Sequence, residues 1–142
     1  MIIAGIGEAG KNIANLFKPH SNIYKILIFD RDEGLKPQAS VEAYDEQPVK
    51  ISSKTLKDQD EAVLFVCGSG KVAGATLRVL EALSALQTTV FYIVPDLEFC
   101  SREEKIRHRV HFSVLQEYGR SGKIKNFILM SNNSLISSIG AG

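Results

Sequence analysis

Two short stretches of this sequence carry residue types that bind phosphate. GIGEAGKN, from Gly5 to Asn12, brings Gly5, Gly7, Gly10 and Lys11 together, and CGSGKVAGATL, from Cys67 to Leu77, sets Gly68, Ser69, Gly70 and Gly74 around Lys71. A glycine turn lets backbone approach an anion, and the unpaired N–H groups and dipole of a following helix favour its charge. The first octet satisfies GxGxxG, and Asp30 stands twenty residues after Gly10. A dinucleotide-binding fold keeps its acid there for the ribose hydroxyls of NAD. The octet also fits most of GxxxxGK[ST], but Asn12 replaces the hydroxyl residue that would ligate magnesium. A third reading is a tight turn that only packs helix on strand, and the second loop has the same alternative. Two glycine turns at neighbouring strand ends would form one shared phosphate pocket, and a simple dinucleotide fold has no need of the second.

The elements that must position these loops are legible as apolar runs: IIAGI from Ile2, ILIF from Ile26, AVLFV from Ala62, VFYIV from Val90 and FILM from Phe127. Each is continuous rather than alternating, which predicts strands covered on both faces of a parallel sheet. Helical periods lie between them. Ile13, Leu16 and Phe17 follow the first loop; Val79, Leu80, Leu83 and Leu86 share a face from Thr76; Ile106, Val110, Val114 and Tyr118 recur every four residues. Ser101 and Glu104 have capping-box spacing before that last helix, and Gly119 is its expected stop. The order predicts an α/β fold: an open, mainly parallel, Rossmann-like sheet with helices on both faces, binding ligands at the carboxyl ends of its strands. The polar stretch from Arg31 to Asp60, with Pro37 and Pro48, reads as an irregular connection in which only Val49 to Ile51 suggests a short edge strand.

The 142 residues, 44% apolar and 23% charged, suit one ordinary domain and exclude two full lobes. A net charge of +1 provides no global field for nucleic acid or an anionic membrane. Cys67 and Cys100 form no metal or disulfide pattern, no apolar run approaches the ~18 residues of a membrane span, and no signal peptide is evident. A cytoplasmic protein without nucleic-acid or membrane partners is expected.

With these loops and elements in order, the chain resembles the tubulin and FtsZ family over nearly its whole length. GIGEAGKN with Ile13, Ala14 and Asn15 is similar to that family's first glycine loop, IFDRD with Asp30, Arg31 and Asp32 to its second loop, and CGSGKVAG to its glycine-rich signature. YIVPDLEF, Tyr92 to Phe99, resembles the strand and loop that reach the nucleotide sugar, and FILMSNNSLISSIG, Phe127 to Gly140, the segment whose asparagine approaches guanine. A dinucleotide fold predicts nothing about these last two segments, so the tubulin-like reading is preferred and NAD binding through Asp30 is the alternative.

The resemblance implies binding of GTP or GDP, with or without magnesium. Gly5, Gly7, Gly10 and Lys11 would meet the phosphates, Asn15 the base or sugar, and Gly68, Ser69, Gly70 and Gly74 the phosphates from the other side. Asn132 would contact guanine, and Glu98 and Arg102 keep an acid-x-x-x-Arg spacing used near the ribose, one residue closer to Pro95 than in the family. Helix-start solvation and capping is the competing reading of Arg102 and Glu104, and the one preferred. Lys71, Val72 and Ala73 depart from the signature, where Lys71 could offer a charge to phosphate, and the loop that senses the terminal phosphate has no recognisable counterpart between Arg31 and Asp60. The family's second domain, whose acidic loop acts on a neighbour's nucleotide, is not expected within these 142 residues. The implied protein is therefore a reduced guanine-nucleotide-binding domain with weak or lost binding, without autonomous GTP hydrolysis or standard filament assembly. Self-association, association with a tubulin-like partner and a ligand-free scaffold are its further readings.

Other constellations carry less. His108 and His111 are three apart without a convincing third metal ligand, so they read as solvated or partly packed. REEKIRHR reads as a wet helix face, and Arg120, Lys123 and Lys125 lack interleaved aromatics for single-stranded nucleic acid. Ser131, Ser134, Ser137 and Ser138 suggest no nucleophile, and neither a catalytic residue nor a metal site is assigned.

Overall fold

A computed structural model describes residues 1–31 and 49–131. Asp32, most of the polar connection and Asn132 lie outside the described residues, as does the FILMSNNSLISSIG segment beyond Ser131.

The five apolar runs are five strands: β1 Ile2–Ile6, β2 Lys25–Phe29, β3 Glu61–Cys67, β4 Gln87–Val94 and β5 Asn126–Ser131. They form one sheet in the order β2-β1-β3-β4-β5, every neighbouring pair parallel. The register sets Ile6 of β1 beside both Phe29 of β2 and Val66 of β3, so the loops leaving these three strands emerge at one level. The chain steps from β1 outward to β2 and returns to the other side of β1 with β3, which makes the β1/β3 boundary the point where the winding reverses.

Alternate strand residues face opposite layers. On one face Ile3, Phe65 and Ile93 pack with Ile13 and Ala14 of α1, Gly7–Ala14. On the other, Ile2, Ala4, Ile6, Leu64, Val66, Val90 and Tyr92 meet Val79 and Leu80 of α3, Thr76–Ala82, and Leu115 of α4, Arg102–Arg120. Full burial of each Val, Leu, Ile or Phe side chain among these contributes about 1.5–3 kcal/mol, which is why continuous apolar runs were needed in the inner strands. A single turn, α2 Ser53–Leu56, is capped by Ser52, whose side chain accepts from the Thr55 N–H.

Four expectations are corrected. The first helix stops at Ala14 and tightens into a 3-10 turn over Asn15–His20, where Pro19 has no N–H for the Asn15 carbonyl. That change of winding leaves Leu16 54% exposed, while Phe17 stacks on Phe65 at 6.2 Å. Val49 to Ile51 form no strand; Val49 and Ile51 pack their side chains on the core without joining the ladder. Helix α4 buries Arg107, His111 and Leu115, one position on from the apolar row of Ile106, Val110, Val114 and Tyr118, which is only half-buried. It also runs past Gly119 to Arg120, and Gly122, at φ +79°, takes the left-handed conformation that follows.

Candidate functional site

The two glycine loops open on the same cleft. It has a volume of about 1290 Å3 and lies at the carboxyl ends of the strands. Gly7, Glu8, Lys11 and Asn12 border it after β1, Asp30 and Arg31 after β2, and Ser69, Gly70, Lys71 and Val72 after β3. Ser101, Glu103, Glu104 and Arg107 close it from the start of α4.

Gly7 turns strand into helix with φ +72°, a conformation that costs an L side chain roughly 1–2 kcal/mol. Ile6, at the N-cap, has no side-chain oxygen for the first turn of α1, so its side chain caps none of the donors at this helix start. Gly5 and Gly10 lie behind this surface. A Cβ on Gly5 would run into the Gly10 carbonyl, and one on Gly10 into the Phe65 carbonyl, so both glycines let α1 sit directly on β1 and β3.

The second loop is held from below by α4. Nδ1 of the fully buried His111 lies 2.6 Å from the Gly68 carbonyl oxygen, which fixes the proton on Nδ1 because a carbonyl can only accept. Nε of Arg107, 9% exposed, donates to the Ser69 carbonyl at 2.8 Å. Within the loop, the Gly70 N–H donates to Cys67 at 3.2 Å and the Ser69 hydroxyl lies 3.1 Å from the Cys67 sulfur. A Cβ on Gly68 would collide with the Tyr92 hydroxyl, so this glycine serves close packing. Gly74 is buried in the 3-10 turn Ala73–Ala75 that leads into α3.

Among the described residues, four cationic side chains border the cleft, Lys11, Arg31, Lys71 and Arg107, and so do four acids, Glu8, Asp30, Glu103 and Glu104. Two of the acids are engaged by backbone. Asp30 accepts from the Arg31 N–H at 2.8 Å, and Glu104 accepts from the Ser101 N–H at 3.0 Å while Ser101 Oγ accepts from the Glu104 N–H at 3.1 Å. The hydrogen bond from the Ser101 backbone, with smaller contributions from Arg107 and Lys71, holds the Glu104 carboxyl below its ordinary pKa.

Of the residues singled out in the sequence, the structure brings Gly7, Lys11, Asp30, Ser69 and Gly70 to the cleft surface. Asn15 borders a neighbouring groove of about 600 Å3, which also meets Lys11 and is lined by Lys18, Lys25 and Lys54. Glu98 and Arg102 do not line the cleft; the Glu98 N–H is taken by Asp96, which caps its own 3-10 turn. Asn132 is outside the described residues.

Sequence reasoning missed Arg107 and His111. Arg107 sits in REEKIRHR, whose mixed charge reads as a solvated face, and His111 beyond it reads as half of a solvated or partly packed histidine pair; the available signal was their i, i+4 spacing in line with Leu115. His108 is half-buried, with Nδ1 2.7 Å from the Tyr92 hydroxyl, and burial pushes its imidazole below the usual pKa. The expectation of a solvated or partly packed pair therefore fits His108 but not the fully buried His111. Among the described residues no group of three or more His, Cys, Asp or Glu is placed to hold a metal ion, and no helix is long and apolar enough to cross a membrane.

Compared with the models of known protein families and with curated proteins, the chain matches none.

Proposed function

We propose that this domain binds a guanine nucleotide, with the phosphates between the Gly7–Lys11 turn and the Ser69–Val72 loop. The observation that carries the reading is that two glycine turns, from strands on either side of the winding reversal, border one cleft. Phosphate is favoured there by the uncapped start of α1 and by Lys11, Lys71 and Arg107. Guanine, rather than another base, rests on the resemblance of the ordered segments to tubulin and FtsZ. The reading is one of binding, not of autonomous GTP hydrolysis, and self-association or a tubulin-like partner belongs to the same reading.

Asp30 supports a second candidate. It borders the cleft at the end of β2, where an acid could take the ribose hydroxyls of NAD. Calorimetric titration with GTP, GDP, NAD and NADP separates the two. Guanine nucleotides are expected to bind and Lys11→Ala to weaken them, with Asp30→Ala changing guanine affinity little. Binding of NAD alone, abolished by Asp30→Ala, replaces the guanine reading. If none of the four binds or shifts the melting temperature, the cleft is not a nucleotide site.

A further inference from the structure

Arg107 has more capacity than its contact with the second loop uses. A guanidinium carries five N–H donors, and the hydrogen bond from Nε to the Ser69 carbonyl occupies one of them. Among the described residues, no carboxylate lies within ion-pair distance of this side chain, although it is only 9% exposed. Glu104, the acid one turn earlier, has Oε1 engaged by the Ser101 N–H. A buried cation without an ionic partner is costly, and arginines are seldom buried unless paired. Arg107 borders the cleft opposite Gly7 and Lys11, with Lys71 on the loop it holds.

We propose that Arg107 is a phosphate ligand of this cleft, fixing the second glycine loop through Nε and offering its remaining donors to the anion. The ligand class follows from the geometry: a planar fork with a fixed Nε suits an oxyanion with two adjacent acceptor oxygens, as on a phosphate. Nucleoside di- and triphosphates should therefore depend on this residue, while an unphosphorylated nucleoside should not. The inference rests on the nucleotide reading of the cleft but names a ligand from α4, outside both glycine motifs.

The test is binding of GDP and GTP to the full chain, with Arg107→Gln and Arg107→Lys, measured across a range of salt concentrations. Arg107→Gln is expected to weaken both nucleotides roughly 10- to 100-fold and to flatten the salt dependence of affinity. Arg107→Lys, which keeps the charge and loses the fork, should fall between wild type and Arg107→Gln while keeping the salt dependence. Weaker binding of Arg107→Gln with an unchanged salt dependence assigns the residue to loop positioning alone and overturns the ligand role. Wild-type affinity in either variant overturns it also, and Arg107→Lys decides the matter if Arg107→Gln does not fold. Failure of the wild-type chain to bind GDP or GTP removes the nucleotide reading itself, an outcome distinct from failure of Arg107.

Discussion

Replacing Gly122 and Gly7 by alanine, one at a time, separates the cost of backbone conformation from the demands of the cleft. Both residues have positive φ, +79° and +72°. A Cβ at Gly122 would meet nothing within 4 Å, and one at Gly7 would lie 3.4 Å from Val72 Cγ2, an ordinary contact. Steric overlap therefore adds little at either site. The left-handed conformation costs alanine roughly 1–2 kcal/mol, and the reduced freedom of the unfolded chain returns about 0.4–1 kcal/mol. The net loss is about 1 kcal/mol in each case, a fall in melting temperature of roughly 3–5 °C for a domain of this length. Differential scanning calorimetry on both variants measures it. Nucleotide titration should then distinguish them: Gly122→Ala, beyond the end of α4, binds as wild type does, whereas Gly7→Ala places a methyl group between the two loops and weakens binding. Equal melting temperatures for wild type and Gly122→Ala would refute the strain argument. A Gly7→Ala protein that melts lower but binds normally would show that phosphate does not approach this turn.

Two further outcomes are expected from the α4 side of the molecule. Burial keeps the folded pKa of His108 below the ordinary imidazole value, so the unfolded chain takes up a proton that the folded chain does not. This contribution is present in full above about pH 6.5 and is lost as the pH falls from there toward the folded value; urea midpoints should decline between pH 7 and pH 5.5, with a shallower slope in His108→Asn, and identical slopes would contradict the assignment. Ser101→Ala removes the oxygen that accepts from the Glu104 N–H and should cost about 1 kcal/mol, whereas Ser101→Gly should cost only a few tenths; thermal melts showing equal losses would place the effect outside the cap.

The sheet was readable because its inner strands are covered on both sides, and such burial demands unbroken apolar runs like AVLFV and VFYIV. The glycine turns were readable for a related reason, since backbone contact between α1 and the sheet permits no Cβ at Gly5 or Gly10. The buried stripe of α4 was not readable from hydrophobic periodicity. That helix rests on the carbonyls of Gly68 and Ser69, so the side chains facing them must be donors. A carbonyl brought from some forty residues away leaves no mark in the local pattern. Gly119 misled for a simpler reason: a glycine can be required inside a helix where another element approaches, here the Phe127 side chain, as well as at its end.

The interior place of β1, between β2 and β3, also sets an order of events. Of the five strands it comes first in sequence, yet one of its two partners, β3, does not begin until Glu61. Closing that long connection has an entropic cost that the pairing recovers only when Ile2–Ile6 lies beside Ala62–Val66. The cleft does not exist before that moment, because its opposing loops leave from these two strands. A ligand lodged there would act as a latch on the longest-range pairing of β1, and its binding would report whether β1 and β3 have closed on each other.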